Sequence, residues 1–556
     1  MRREGLGAKK FSRVDQIVEI EMLVGLTLTA LTGVACLPAS MYQAAPERWR
    51  ERIPLLLGIL FLASALAAMS VFRYGPLDAL FWRLPNGWRW GIYLDGLSVV
   101  MLLLISFIAW VNAMFARRYL DGDPGQGRFY KWFTLTVAAV VWMVVARDLL
   151  TLWLAWITTS LGLHQLLVFY PDRPWAVWTA RKKFLISRLG DGFLAVGIGC
   201  IWYQFGTLEF TTLFAALSTP NTWSSDTNLL SIAAGMLALG ALTKSAQFPF
   251  HSWLPDTLET PTPVSALMHA GIINAGGFLM IRMSPLMAES SLAMNGLWLT
   301  GAFTATFAAI VMLTQISIKR ALAWSTIAQM GFMMLQCGLG AWPAALLHLV
   351  AHSLYKSHAF LSSGSAVDGL KTSATSRVMA LNRVRNARSN QGWAALGTMA
   401  FSLALSISLA WLITSLMGFD LSTKQGFVLL GLIQLLGLAH LLQQTLSSGQ
   451  TRVGLRGIVA TTFVLTGYWF GYLVIDQALQ VGISPAIRPW TLADQVLLGA
   501  AASFLLLIYL LATLPIVGGR WLAWPSLYVH ATNGFYLDVP VRRLTAWCWG
   551  LNSPAP

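Results

Sequence analysis

Lys244 sits inside one apolar run and His269 within the next; between them is the polar, proline-broken stretch Ser245-Ala246-Gln247-Phe248-Pro249-Phe250-His251-Ser252-Trp253-Leu254-Pro255-Asp256. An ammonium in hydrocarbon costs several kcal/mol, and backbone groups freed by a helix break must find partners inside the protein. Such a feature marks an ion or proton path; the competing explanation is a lysine near a helix end that snorkels to the headgroups. A second basic set follows at regular spacing. His348, His352 and Lys356 fall at i, i+4 and i+8, which puts them on one helix face, each about 6 Å from the next. Imidazoles change charge near neutral pH and pass protons along a file of water, so this face reads as a proton relay. Structural hydrogen bonding and zinc are the rivals. The spacing lacks the glutamate of a metalloprotease helix, and no thiolate or carboxylate nearby completes a ligand set, so no metal is expected in this chain.

Upstream, Lys182-Lys183-Phe184-Leu185-Ile186-Ser187-Arg188-Leu189-Gly190-Asp191 opens another apolar run. Arg188 and Asp191 are an i, i+3 pair, and Gly190 lets a neighbouring helix approach closely. Asp191 is the acid best placed to meet Lys244 across a helix interface, either as a mobile pair that moves protons or as a static pair that fixes register.

The elements that must position these groups follow from hydropathy. Of 556 residues, 56% are hydrophobic and 11% charged, too few charges to coat a soluble globule, whose usual share is about 25%. The net charge of +15 therefore does not point to nucleic acid. The chain reads as an all-α polytopic membrane protein of about 14–15 transmembrane helices, with a discontinuous helix near Lys244. The apolar runs fall near 17–38, 53–72, 92–115, 132–146, 149–170, 184–205, 229–248, 262–282, 294–315, 321–340, 343–362, 393–418, 425–446, 457–480 and 493–517. They divide the chain into N-terminal helices at 1–130, a conducting core at 131–365 and a basic loop at 366–392. A C-terminal group of helices at 393–517 and an amphipathic tail at 518–556 complete it.

Loops after odd-numbered spans carry twenty Lys and Arg against seven after even-numbered ones, Arg282 at a span edge included. The positive-inside rule then places the N-terminus outside and the C-terminus in the cytoplasm, against the basic N-terminal tail of Arg2, Arg3, Lys9, Lys10 and Arg13. Cys36, Cys200, Cys337 and Cys548 are far apart and read as small apolar residues, not as a disulfide framework. Trp521, Trp524, His530, Phe535, Tyr536 and Arg542 give the tail the aromatic-plus-arginine character of a partner-binding surface; a helix resting in the headgroups is the alternative.

Lys244-Ser245-Ala246-Gln247-Phe248-Pro249 and Thr260-Pro261-Thr262-Pro263-Val264-Ser265-Ala266-Leu267-Met268-His269-Ala270 resemble the signature of antiporter-like subunits, the proton-conducting family shared by respiratory complex I and Mrp-type sodium/proton antiporters. The likeness continues through Leu94 to Ser98, Lys183 to Asp191, Ile318-Lys319-Arg320 to Ser325-Thr326, and His348 to Lys356. It implies a hydrophilic axis through Lys244, His269, Lys319, His348, His352 and Lys356, with Asp191 beside it and Lys183, Arg188, His251 and His164 in supporting places. Two departures stand out. Ile157-Thr158-Thr159 occupies the place of the glutamate that pairs with the lysine, and Leu403 to Leu416 carries no exit lysine.

With the strings Met268 to Phe278 and Tyr528 to Tyr536, these departures make the chain most similar to the membrane subunits of bacterial DAB inorganic-carbon accumulation complexes. That resemblance implies an inner-membrane location and a soluble cytoplasmic zinc partner of the DabA type, similar to a β-carbonic anhydrase. It implies no cofactor in this chain, no catalysis by it, and ion flow that drives one-way conversion of CO2 to bicarbonate. The alternatives are a subunit of a complex I-like or Mrp-type antiporter and a non-conducting membrane anchor.

Overall fold

The computed structural model describes residues 13–83, 89–219, 227–364, 392–416, 426–446, 451–483 and 525–550, with the isolated positions 495 and 499. Long helices dominate: α1 (Arg13–Cys36), a short α2 (Ala39–Ala44), α3 (Pro46–Tyr74), α4 (Gly96–Tyr119), α5 (Gln126–Val145), α6 (Leu149–Leu167) and α7 (Pro174–Phe205). A short α8 (Phe210–Leu217) and α9 (Thr227–Lys244) lead to the break. Beyond it come α10 (Thr262–Ala270), α11 (Ala275–Arg282), a short α12 (Ser284–Ala288), α13 (Ser291–Leu313), α14 (Ile318–Gly338) and α15 (Trp342–Leu361). Then follow α16 (Gly392–Leu416), α17 (Gly426–Leu446), α18 (Thr451–Gln480), α19 (Pro525–Thr532) and α20 (Val539–Trp549).

Fourteen of the fifteen apolar runs coincide with these helices, and the run at 493–517 lies outside the described residues, as does most of the basic loop at 366–392. Seven helices among the described residues are by themselves long and apolar enough to cross a membrane. The protein is therefore a multi-pass membrane protein. Leu55, Leu62 and Met69 on α3 are exposed on the outside of the bundle, where lipid stabilises what water would not. Helix starts follow local chemistry: the Asp95 carboxylate accepts from the Ser98 amide at 2.9 Å at the head of α4, and Asp148 accepts from the Thr151 amide at 2.8 Å at the head of α6.

Within this helical bundle hydropathy gave no sign of one hairpin. Leu77–Arg83 (β1) pairs antiparallel with Arg89–Leu94 (β2), so the run beginning at 92 opens as strand. Gly91 is required there, since an added Cβ would lie 2.2 Å from the Ala79 carbonyl oxygen. The hairpin is held to the bundle by Arg147, which pairs with Asp78 and, at 3.0 Å, with Glu209. At the same end, fully buried Arg282 at the close of α11 donates to Asp95 at 3.1 Å and to the Ser98 hydroxyl at 2.6 Å. Gly96 donates to the Val481 carbonyl at 2.9 Å, so the ends of α4, α11 and α18 share one knot. The tail lies at the opposite end, with the loops after odd-numbered spans; Gln315 after α13 donates to the Thr532 carbonyl there at 3.3 Å.

The crossing of α7 and α9 positions the interior. At Gly190 an added Cβ would stand 2.0 Å from the Thr243 hydroxyl and 3.0 Å from its Cβ, and at Gly240 2.5 Å from Leu194. The two backbones meet because these side chains are missing, as expected of Gly190. Gly190→Ala should force the crossing apart and lower the thermal unfolding temperature of the purified protein, at an overpacking cost of about 1–3 kcal/mol. Gly192→Ala, where nothing lies within 4 Å, should keep or raise that temperature, because alanine suits a helix interior better than glycine, and equal behaviour of the two variants would refute the close-packing account.

Candidate functional site

α9 ends on Lys244, and 245–261 run as turns before α10 resumes the direction of a span. The freed backbone is satisfied locally. Ser245 donates from its hydroxyl to the Ile273 carbonyl at 2.7 Å, Gln247 from its side chain to the Ser245 carbonyl at 2.9 Å, and the Phe248 amide to the Thr304 hydroxyl at 3.1 Å. A second interruption separates α10 from α11 at Gly271 to Asn274, just past His269. There the Asn274 amide group donates to the Ala270 carbonyl at 2.9 Å and to the Ser353 hydroxyl at 2.7 Å. Each break thus carries its own polar side chain to replace lost helix bonds, as non-helical backbone at membrane depth requires.

Lys244 is 6% exposed; its amine donates to the Trp156 carbonyl at 3.0 Å and sits 4.7 Å above the Trp156 ring. Lys183 reaches from α7 to the same helix, donating to the Ser160 carbonyl at 2.8 Å and the Ser160 hydroxyl at 2.7 Å. Trp156 and Ser160 are one turn apart on α6, so the two amines end on acceptor carbonyls spaced about 6 Å along one helix. Two unit charges at that spacing repel by about 3 kcal/mol at an effective dielectric of ~20.

The expected contact between Asp191 and Lys244 is not made. Asp191 is an ion-pair partner of Arg188 at 2.7 Å on its own helix, while Lys244, at the very end of α9, turns to the α6 carbonyl. The acid remains within electrostatic reach of both lysines. The Arg188–Asp191 contact is close but poorly aligned, and both carboxylate oxygens lack a hydrogen-bond donor among the described residues.

The second set gathers between α10, α14 and α15. His269 lies 3.1 Å through Nδ1 from the Thr326 hydroxyl and stacks on Phe360 at 4.3 Å. Thr326 donates to the Leu322 carbonyl at 2.9 Å, and Lys356 donates to that same oxygen at 3.0 Å. The Thr326 hydroxyl thus joins His269 Nδ1 to the Leu322 carbonyl on which Lys356 also ends. The rings of His348 and His352 are 6.0 Å apart, and His352 approaches the backbone carbonyl of His269. Lys319 departs from the expected axis: it lies half-buried in the first turn of α14, three residues before Leu322, at the tail-bearing end. His164 Nδ1 lies 3.2 Å from the Ala180 carbonyl, and His251 packs in the break against Phe307 and Trp324, with ring centroids 5.3 Å and 5.7 Å away. Among the described residues no three His, Cys, Asp or Glu side chains converge on one point.

The tail packs onto the break. Buried Lys182 donates to Asp256 at 2.6 Å, to the Ser252 carbonyl at 3.2 Å and to Asp538 of the tail at 2.8 Å. Arg542 also donates to Asp538. Gly534, Phe535 and Tyr536 take consecutive positive φ values of 59°, 51° and 60°, a strained turn that brings the Phe535 ring to 5.9 Å from Phe307. Phe535 and Arg542, expected to face a partner, are thus spent on contacts within the chain. His530 and Tyr536 stay exposed with ring centroids 5.6 Å apart, and Trp521 and Trp524 lie outside the described residues. Sequence reading missed Ser160, Thr326, Asn274, Ser353 and the Lys182–Asp256–Asp538 cluster; the available signal was polar side chains one turn from each lysine or break.

Burial alone pushes the Asp538 carboxyl up, but the Lys182 charge and its hydrogen bonds outweigh that and hold it below the usual carboxylate range. A group with a depressed pKa stabilises docking above its free value and loses that contribution as pH falls through the docked value. The tail should therefore stay docked at neutral pH and loosen on acidification below the carboxylate range. Asp538→Asn should loosen it already at pH 7, read as faster protease cleavage within 525–550. Cleavage of the Asn variant at the wild-type rate would show that the anchor contributes nothing.

Comparison with known proteins places this geometry. Residues 146–425 match the profile of the family NADH:quinone oxidoreductase/Mrp antiporter, TM, and residues 87–130 match NADH-Ubiquinone oxidoreductase (complex I), chain 5 N-terminus. The probable inorganic carbon transporter subunit DabB2 of Halothiobacillus neapolitanus is 37% identical over 546 residues, covering 96% of this chain and 95% of that one. NAD(P)H-quinone oxidoreductase chain 5 of Synechocystis sp. is 36% identical over 283 residues, 50% of this chain and 42% of that one. A structure of the Mrp complex from Dietzia sp. DQ12-45-1b aligns over 95% of this chain and 59% of that chain with a TM-score of 0.63 at 22% identity, a likeness of fold. With its lysine-tipped broken helix and its histidine-lysine face, the chain belongs to the membrane-subunit family of NADH:quinone oxidoreductases and Mrp antiporters, on the DabB branch of inorganic carbon transporter subunits.

Proposed function

We propose that this chain is the proton-conducting, energy-coupling membrane subunit of an inorganic-carbon uptake complex. In this reading it drives one-way hydration of CO2 in a soluble zinc partner of the DabA type, docked on the cytoplasmic side. The observation that carries the reading is the set of buried basic groups, Lys183, Lys244, His269 and Lys356, each bound to a backbone carbonyl or hydroxyl and none to a carboxylate, with buried His352 beside them. A carbonyl can hold a donor in place but cannot take its proton, so these groups are positioned without being locked as ion pairs.

Protons pass between Lys244 and the His269–His352–Lys356 set, with Asp191 tuning Lys244 from a distance. The buried Gln247 Oε1, Asn274 Oδ1 and His352 Nε2 have no hydrogen-bond partner among the described residues, as suits groups that exchange hydrogen bonds during transfer. α16 is an unbroken helix without an ionisable side chain, which favours a path that serves one partner at the tail-bearing end over a full complex I-type channel. That end carries the excess of basic loops and is assigned to the cytoplasm, with the N-terminus in the periplasm. Carbon chemistry, with its zinc, belongs to the partner; His530 and Tyr536 on the exposed side of the tail are its contact points in this chain.

Lys244→Ala should reduce proton flux into vesicles holding the complex at least tenfold and abolish growth of a carbon-uptake mutant at air levels of CO2, with assembly intact. Full rescue by the Ala variant would end the conduction reading. His352→Gln should lower flux without changing the zinc content of the complex. If the chain purified without its partner contains stoichiometric zinc that His352→Gln removes, the histidine face is a metal site and not a relay.

A further inference from the structure

We propose that Lys183 and Lys244 form an amine pair that shares one proton, standing where a lysine–carboxylate pair would otherwise be. The inference rests on the proton-conduction reading and adds the identity of the first donor and acceptor. Two observations carry it. The amines converge on successive turns of α6, Lys244 on the Trp156 carbonyl at 3.0 Å and Lys183 on the Ser160 carbonyl and hydroxyl at 2.8 and 2.7 Å. No acid is left to balance them both.

The charged and titratable groups around the pair are accounted for. On α7, Asp191 is taken up by Arg188 at 2.7 Å. On α6, His164 faces the Ala180 carbonyl, and on α10, His269 is bound to Thr326. Asp256 of the break is held by Lys182, Glu259 by Arg173 at 2.7 Å, and Arg282 of α11 by Asp95. Lys183 and Lys244 therefore stand as two cations within electrostatic reach of a single acid, Asp191, which Arg188 already pairs. Charging both in a low-dielectric interior sets their mutual repulsion on top of two desolvation penalties, with only neutral acceptors in return. Removing one proton relieves both costs and leaves a free amine beside an ammonium, the arrangement proton transfer needs.

The step balances. An N–H bond of one ammonium breaks as an N–H bond forms on the other nitrogen, the proton passing through an intervening hydroxyl or water that gives up one proton as it takes another, and the pair keeps a single positive charge throughout. Ser160 suits both states of Lys183, because its hydroxyl accepts from an ammonium and, after rotation, donates to a neutral amine. Ile157-Thr158-Thr159, on the turn between the two carbonyl contacts, offers no carboxylate to trap the charge. A lysine–carboxylate pair switches between an ion pair and a neutral pair; this pair moves a charge from one helix to the next.

The experiment is nitrogen-15 lysine NMR of the intact complex in lipid nanodiscs at pH 7, together with proton flux in vesicles. In the wild type the Lys244 resonance should stand off the ammonium position, and in Lys183→Met it should move onto it. The mirror variant Lys244→Met should do the same to Lys183. Lys183→Arg, whose guanidinium keeps its proton, should cut flux at least tenfold, whereas Lys183→Gln keeps contact with Ser160 and reports whether the fold survives. A Lys244 resonance that is unmoved by Lys183→Met overturns the pair, whatever the flux. A wild-type complex that conducts no protons overturns the conduction reading and leaves the NMR result to decide the pair.

Discussion

Keeping basic groups inside a hydrocarbon-embedded bundle is the constraint around which this interior is built. A soluble protein would pair each buried lysine with a carboxylate, and this one does so at Lys182 with Asp256 and Asp538 and at Arg282 with Asp95. Both of those clusters lie at the ends of the bundle. Deeper in, Lys183, Lys244 and Lys356 are held by carbonyl oxygens of neighbouring helices. A carbonyl dipole gives direction and modest stabilisation without a compensating charge, so none of these amines is held in a fixed ion pair.

That arrangement requires backbones closer together than ordinary side chains permit. A lysine amine can reach a carbonyl of the next helix only if that helix is not fenced off by bulk, and Gly190, Gly240 and Gly276 remove the bulk around α9. An added Cβ at Gly276 would stand 2.3 Å from the Ser245 hydroxyl, the group that satisfies the Ile273 carbonyl beyond the break. The packing that places Lys244 and the hydrogen bonds that repair the broken helices are thus one structure. In lipid, where no hydrophobic force drives helices together, such close contact and polar bridging are the main sources of association.

The broad architecture was legible because membrane spans announce themselves by length and apolarity, and the break was legible because Pro249 and Pro255 with their polar neighbours cannot continue an apolar helix. The i, i+4, i+8 face of α15 was legible from helical period alone. Partner choice was not. Asp191 is three residues from Arg188 and across an interface from Lys244, and only side-chain direction decides that the local contact is made. Which tail residues pack within the chain was not legible for a related reason: an aromatic-arginine surface looks the same in sequence whether it awaits another protein or packs on its own chain, as Phe535 and Arg542 do. The hairpin at 77–94 escaped because its strands are too short, and Ile92 to Leu94 too apolar, to stand out from the span they lead into.

Lys182 and Lys183 show how the two regimes meet. They are adjacent in sequence on one turn of α7, yet one is gripped by carboxylates from the break and the tail, and the other by the carbonyl and hydroxyl of Ser160. Whatever moves the tail therefore acts at a single turn's distance from the interior pair. Drawing Asp538 away leaves the buried Lys182 amine with Asp256 of the break as its one carboxylate. The exposed side of the tail, at His530 and Tyr536, is thus one ion cluster away from the broken helix. In the reverse direction, a change of charge at Lys183 alters the field on Lys182 and so the grip on Asp538. Coupling of this kind is reciprocal by necessity, because both ends bias the same short element.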